Sequence, residues 1–231
     1  MAQTAKNLPV YLEIGSKKTF AGALEWPGWA RSGRDPEAAL AALRDYAPRY
    51  AQVLRAAGID FPEITEDTEF DVVERLEGNA TTDFGAPAIP PSRDADPLTA
   101  SEVDHLSKIL NACWRAFDEA VAAAQGKTLR KGPRGGGREL DRIIEHVMGA
   151  EHGYLTSVGG EKVRTDGMDT QEEMAALRRA ALAALEASAA GQIPATGPRG
   201  GERWTARYFA RRLAWHTLDH AWEIEDRITT E

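Results

Sequence analysis

Two histidines stand one helical turn apart in Arg212-Leu-Ala-Trp-His216-Thr-Leu-Asp-His220-Ala-Trp-Glu223, and a third, His146, lies in an earlier segment with helical periodicity. Residues at i and i+4 share one face of a helix, their side chains stacked one above the other. Two imidazoles so placed can chelate one divalent cation, and a third from a facing helix completes a three-nitrogen set with open coordination positions. That is a Lewis-acid centre. Its cation keeps its full charge and lowers the pKa of a bound water or thiol.

The surroundings of these rings follow from helix geometry. At about 100° per residue, His216 and His220 project within about 40° of each other. Glu223, Arg212 and Phe209 fall in the same sector, whereas Trp215, Leu218 and Trp222 point toward neighbouring helices. His146 shares a face with Ile143, Ala150 and Gly153, with Gly149 close by. Small residues one and two turns beyond a ligand leave the free volume that a substrate pocket needs. His152 projects about 120° from His146 and is expected outside the site; His105 is expected at the surface. Asp219 and Glu223 offer carboxylates that orient ligating imidazoles. Spacing alone leaves two other readings open: hydrogen-bonded core histidines, and a surface ion-pair ladder of Arg212, Glu223 and Arg227.

The chain that must position these groups has 231 residues, enough for one large domain or two small ones. Its 28 Lys+Arg against 36 Asp+Glu give a net charge of −8. An acidic chain repels phosphate backbones, so nucleic acid is not an expected partner. The basic cluster Lys127-Thr-Leu-Arg130-Lys131-Gly-Pro-Arg134 sits among glycines and reads as a loop. A single cysteine, Cys113, excludes an internal disulfide, fits a reducing compartment, and reads as an inert core thiol. No stretch has the length of a membrane span, and the N-terminus lacks an apolar signal core, so a cytoplasmic location is expected.

The chain reads as α+β. Pro9–Gly15 and Thr19–Trp26 are expected strands joined by a hairpin turn at Gly15-Ser-Lys-Lys18, with a short third strand at Trp29–Gly33. Asp35-Pro36-Glu37 is a strong helix start; Ala39, Leu43, Tyr50 and Leu54 lie in its apolar stripe, Pro48 is expected to kink it, and Gly58 ends it. Glu69–Arg75 alternates like a returning strand. The sum is a β-β-β-α-β domain over residues 1–78. Residues 79–97, rich in Pro, Asp, Thr and Ala, read as a linker. Four amphipathic helices are expected over 98–231, forming a four-helix bundle. The first starts at the capping box Thr99–Glu102, the second covers about 138–156, the third starts at the box Thr170–Glu173, and the fourth covers about 205–227. Gly132-Pro-Arg-Gly-Gly136 and Gly197-Pro-Arg-Gly-Gly201 precede the two histidine-bearing segments, as turns or as anion-holding loops.

Phe20-Ala-Gly-Ala-Leu-Glu-Trp-Pro27-Gly28-Trp-Ala-Arg-Ser-Gly33, followed by the helix from Pro36, resembles the HicB-like antitoxin domain over roughly residues 8–75. The chain shows no DNA-reading helix-turn-helix, so this part reads as a structural, ligand-sensing or association domain.

His146-Val-Met-Gly-Ala-Glu151-His-Gly-Tyr-Leu155 together with His216-Thr-Leu-Asp-His220 resembles the DinB-like superfamily over about residues 98–228. The resemblance implies a four-helix bundle with a metal triad of His146, His216 and His220 holding Zn²⁺ or Ni²⁺. It implies thiol S-transfer or isomerisation, with a low-molecular-weight thiol as co-substrate and a small molecule as substrate. Arg212 is the candidate for an anionic substrate group, and Glu223 and Glu151 for proton transfer or support of the ligands. Where the family commonly continues with Arg-Gly-Gln after the second histidine of the pair, this chain has Ala-Trp-Glu-Ile-Glu, which points to a different substrate side. Hydrolysis by an activated water needs no thiol and stays open. A different class of function is a metal-stabilised scaffold closed by a fourth protein ligand. Homodimerisation through the bundle helices, served by exposed tryptophans, is a further expectation.

Overall fold

The computed structural model describes residues 7–131 and 137–229, so the Gly132–Gly136 phrase lies outside the described residues. The chain divides into two compact units, Met1–Asp96 and Pro97–Glu231. Among the described residues no helix is long and apolar enough to cross a membrane.

The first unit is built on one sheet in the order β3-β2-β1-β4. β1 (Asn7–Ile14), β2 (Thr19–Ala23) and β3 (Ala30–Gly33) are antiparallel neighbours, and β4 (Glu69–Glu77) returns parallel to β1. Gly15 N–H donates to the Lys18 carbonyl at 2.9 Å and closes the first hairpin. Asp35 caps α1 (Pro36–Asp45) through the Ala38 N–H, with proline in the first turn.

The expected kink at Pro48 is instead a break. α1 ends at Asp45, and α2 (Ala47–Arg55) begins around Pro48 in its first turn. Proline lacks an N–H and its ring collides with the carbonyl four residues back, so it is tolerated in a first turn and poorly further in. Trp29, Tyr50 and Phe61 form the aromatic core, with Trp29 Nε1 donating to the Leu43 carbonyl and Tyr50 OH to the Pro27 carbonyl, both at 2.8 Å.

The segment expected to be a linker carries α3 (Ala80–Phe84), capped by Asn79, and a 3-10 turn at Ser92–Ala95. Buried Glu13 on β1 holds it: its carboxylate accepts from Thr82 Oγ1 at 2.5 Å and from the N–H groups of Ala88 and Ile89. A buried carboxylate is tolerable when several donors meet it.

The second unit consists of α4 (Ala100–Ala124), α5 (Leu140–Val158), α6 (Thr170–Ala189) and α7 (Ala206–Arg227). Thr99 and Glu102 form the expected capping box of α4. The box at α6 lies one residue earlier than expected, with Asp169 as the cap and Glu172 answering it. Aspartate accepts from the first-turn N–H groups better than threonine does, and so sets the start.

α7 packs against α4, α5 and α6 and is buried around most of its circumference. Phe209, Leu213, Leu218 and Ile224 are almost fully enclosed. Each such side chain contributes about 1.5–3 kcal/mol relative to exposure. The central place of α7 also corrects one expectation: none of the six tryptophans is exposed, and Trp114, Trp215 and Trp222 are buried. The arginines on α7 that suggest a solvent face are accommodated locally. Arg207, for example, meets Glu102 at 2.8 Å.

Candidate metal centre

α5 and α7 bring the three histidines together. The ring centroids of His216 and His220 are 4.6 Å apart, those of His146 and His220 4.9 Å, and those of His146 and His216 5.1 Å. One nitrogen from each ring lies within 4.8 Å of the others. Nε2 of His216 is 3.2 Å from Nε2 of His146. Tetrahedral bonds of about 2.0–2.1 Å to nitrogen separate two ligand atoms by about 3.3 Å, so this pair has the spacing a divalent cation requires. The residues fit such an ion.

Electrostatics keep the lone pairs available. Burial, then the neighbouring His220 and His146, then Arg212 and Arg138, hold the His216 pKa well below its usual value. Burial, then Arg138 and His220, lower that of His146. Metal ligation requires neutral imidazole, and this surrounding favours it.

His220 is aimed from behind. Its Nδ1 meets Glu223 Oε2 at 2.7 Å, which turns its Nε2 edge toward the other two rings. Glu223 Oε1 accepts from Arg227 Nη1 at 2.6 Å, and Arg227 donates onward to the carbonyls of Arg130 and Arg138. Burial pushes the Glu223 carboxyl upward, but the bonds to His220 and Arg227 outweigh it and the group stays below its usual range.

The other candidates separate. Among the described residues Arg212 makes no ion pair with Glu223, whereas Glu223 and Arg227 meet. The Arg212 guanidinium lies against the rings of Tyr154 and Trp215, and its Nη2 donates to Tyr154 OH at 3.3 Å. Glu151 points away from the histidines. It is buried and accepts from Trp114 Nε1 at 2.9 Å, and burial pushes its carboxyl up to about 7. His152 meets Glu173 at 2.9 Å on the α6 side, and His105 is half-buried on α4. Cys113 is buried, which raises its thiol pKa and makes it inert. The second glycine phrase forms a turn closed by Gly197 N–H to the Gly201 carbonyl at 2.8 Å, several residues ahead of α7.

A groove of about 1020 Å³ lies among α4, α5 and α6, and none of the three histidines lines it. Two of its carboxylates, Asp118 and Glu173, already meet Arg178 and His152. The histidine cluster, with its convergent ring nitrogens, is the stronger candidate for chemistry. Beside His146, a Cβ added at Gly149 or Gly153 would meet no atom within 4 Å, so this flank is open.

A comparison with protein-family models matches the DinB superfamily at residues 109–224, a stretch that holds all three histidines and just over half of the chain. The chain belongs to the DinB superfamily. No curated protein and no solved structure matches it. Within the DinB region, sequence reasoning missed two residues. Tyr154, with its ring centroid 5.6 Å from that of His216, lies about 80° around α5 from His146 and gives no spacing signal. Arg138 precedes α5, and its carbonyl accepts from Arg227, a contact that no local pattern signals.

Proposed function

We propose that this DinB protein is an enzyme that uses a divalent cation, Zn²⁺ or Ni²⁺, held by His146, His216 and His220 in a four-helix bundle. The reading is supported chiefly by one observation: imidazoles from two different helices converge to a ligand spacing while the flank along Gly149 and Gly153 stays open. A cation held there lowers the pKa of a small thiol or of water, supplying a nucleophile near neutral pH for S-transfer, isomerisation or hydrolysis. Around it, Glu223 orients His220 and Arg227 holds Glu223 in place. Tyr154 and Arg212 border His216 and bound the pocket on that side. Glu151 acts in the packing of α4 against α5 and takes no proton-transfer role in this reading.

A non-catalytic scaffold needs a fourth protein ligand to close the site. The best-placed carboxylate, Glu223, is engaged by His220 and Arg227, which favours the enzyme. The first unit, with three antiparallel strands, a helical segment and a returning parallel strand, supports its reading as a HicB-like association domain.

Metal content of the purified protein tests the centre. We expect about one equivalent, largely lost in His216→Ala; unchanged content in that variant refutes the triad. A turnover screen with small thiols and electrophiles then separates the two classes, and silence throughout favours the scaffold.

A further inference from the structure

An arginine side chain carries hydrogen-bond donors and no acceptor, whereas a phenol can both donate and accept. Arg212 Nη2 lies 3.3 Å from the Tyr154 phenol oxygen. In that contact the oxygen accepts, so the phenol's own hydrogen must point elsewhere. Among the described residues no acceptor takes it. The arrangement is fixed from behind. Arg212 is buried, and its guanidinium lies over the rings of Tyr154 and Trp215 at 5.3 and 4.9 Å. A cation held against two rings has little freedom to turn, and its donation polarises the phenol into a stronger donor.

Tyr154 also stands where a ligand of the cation would extend. Its ring packs edge-on against His216, with 5.6 Å between centroids and 85° between planes. On α5 it directly follows Gly153, so it closes the open flank that runs from His146 past Gly149 and Gly153. Trp204 continues the wall. Its N–H donates to the Ser157 carbonyl at 2.9 Å, and its ring lies 5.2 Å from that of Tyr154. Both rings are half-buried. The flank thus offers apolar faces and one directed O–H donor, the pattern of a site that orients a small molecule through a single polar group. A donor without an acceptor of its own favours a ligand that brings one.

We propose that Tyr154 is a substrate-binding residue which donates its phenolic hydrogen to a carbonyl or carboxylate oxygen of a small molecule held at the cation. This inference rests on the metal-centre reading above and names the substrate class of that site.

The test uses nickel-loaded full-length protein and two probes followed by visible absorption, with a nickel assay of each preparation. Acetohydroxamate binds metal ions through oxygens that still accept a hydrogen bond, whereas pyridine binds through nitrogen and offers no acceptor. Tyr154→Phe should hold as much nickel as the wild type and bind pyridine equally well, but bind acetohydroxamate about ten-fold more weakly. Unaltered acetohydroxamate affinity in that variant, or nickel-loaded wild type that binds neither probe, overturns the inference and leaves the metal centre standing. An equal loss for both probes makes Tyr154 a wall of the pocket without a polar role, and loss of nickel makes it a support of the trio; either overturns the inference. Wild-type protein that takes up no nickel refutes the metal centre and this inference together.

Discussion

Glu151 offers the sharpest quantitative test of how the helical unit is held together. It lies on the helix that carries His146, yet its side chain is buried and bonded to Trp114 on α4. Burial raises its pKa from 4.5 to about 7, against the opposing pull of the Trp114 N–H and Arg178. The folded protein therefore keeps this proton between about pH 4.5 and 7, where the unfolded chain has released it. A group whose pKa is raised by folding stabilises below the unfolded value, and that contribution is lost as pH climbs through the folded value. At about 1.4 kcal/mol per pH unit over this window, the loss is about 3 kcal/mol.

Replacing Glu151 by Gln keeps the shape and an acceptor for Trp114 but removes the charge. Urea denaturation of wild-type protein and Glu151→Gln should give similar stabilities near pH 5. Above pH 7 the variant should be the more stable by about 3 kcal/mol, a shift of roughly 6–12 °C in Tm. The difference between the two proteins, rather than either absolute curve, isolates this residue. A difference that stays flat from pH 5 to pH 8 would show that Glu151 is ionised in the fold and would refute the argument. Loss of turnover in Glu151→Gln without any change in stability would instead restore it as a proton-transfer group.

Two other expectations follow from contacts around the site and at a helix start. Glu223→Ala frees the His220 ring and should weaken metal binding about 10–100-fold in a competition titration; unchanged affinity would mean that the ring is aimed by packing alone. Asp169→Ala should cost about 1 kcal/mol in urea denaturation whereas Thr170→Ala should cost much less, and the opposite order would place the start of α6 one residue later.

Much of the site was legible because helix periodicity is a local property. His216 and His220 had to share a face of any helix that contained both, and the free volume along Gly149 and Gly153 follows from residue size. Helix starts were equally readable where one residue dominates the chemistry, as with Asp35 and Pro36 at α1. The register failed where two acceptors compete, Asp169 against Thr170, and at Pro48, where periodicity runs through a break in the backbone. The segment after residue 78 looked like a linker because its order comes from Glu13, some 75 residues away in the chain.

What the sequence determined by itself is the set of local structures: a strand-rich first part, amphipathic helices after it, and imidazoles on the right faces of two of them. The rotation of one helix about its axis relative to another is set by side-chain packing across the whole unit, and no local pattern encodes it. Tertiary structure alone therefore decided that Arg212 turns to Tyr154, that Glu151 faces Trp114, that α7 is enclosed together with its tryptophans, and that Arg227 reaches the Arg138 carbonyl.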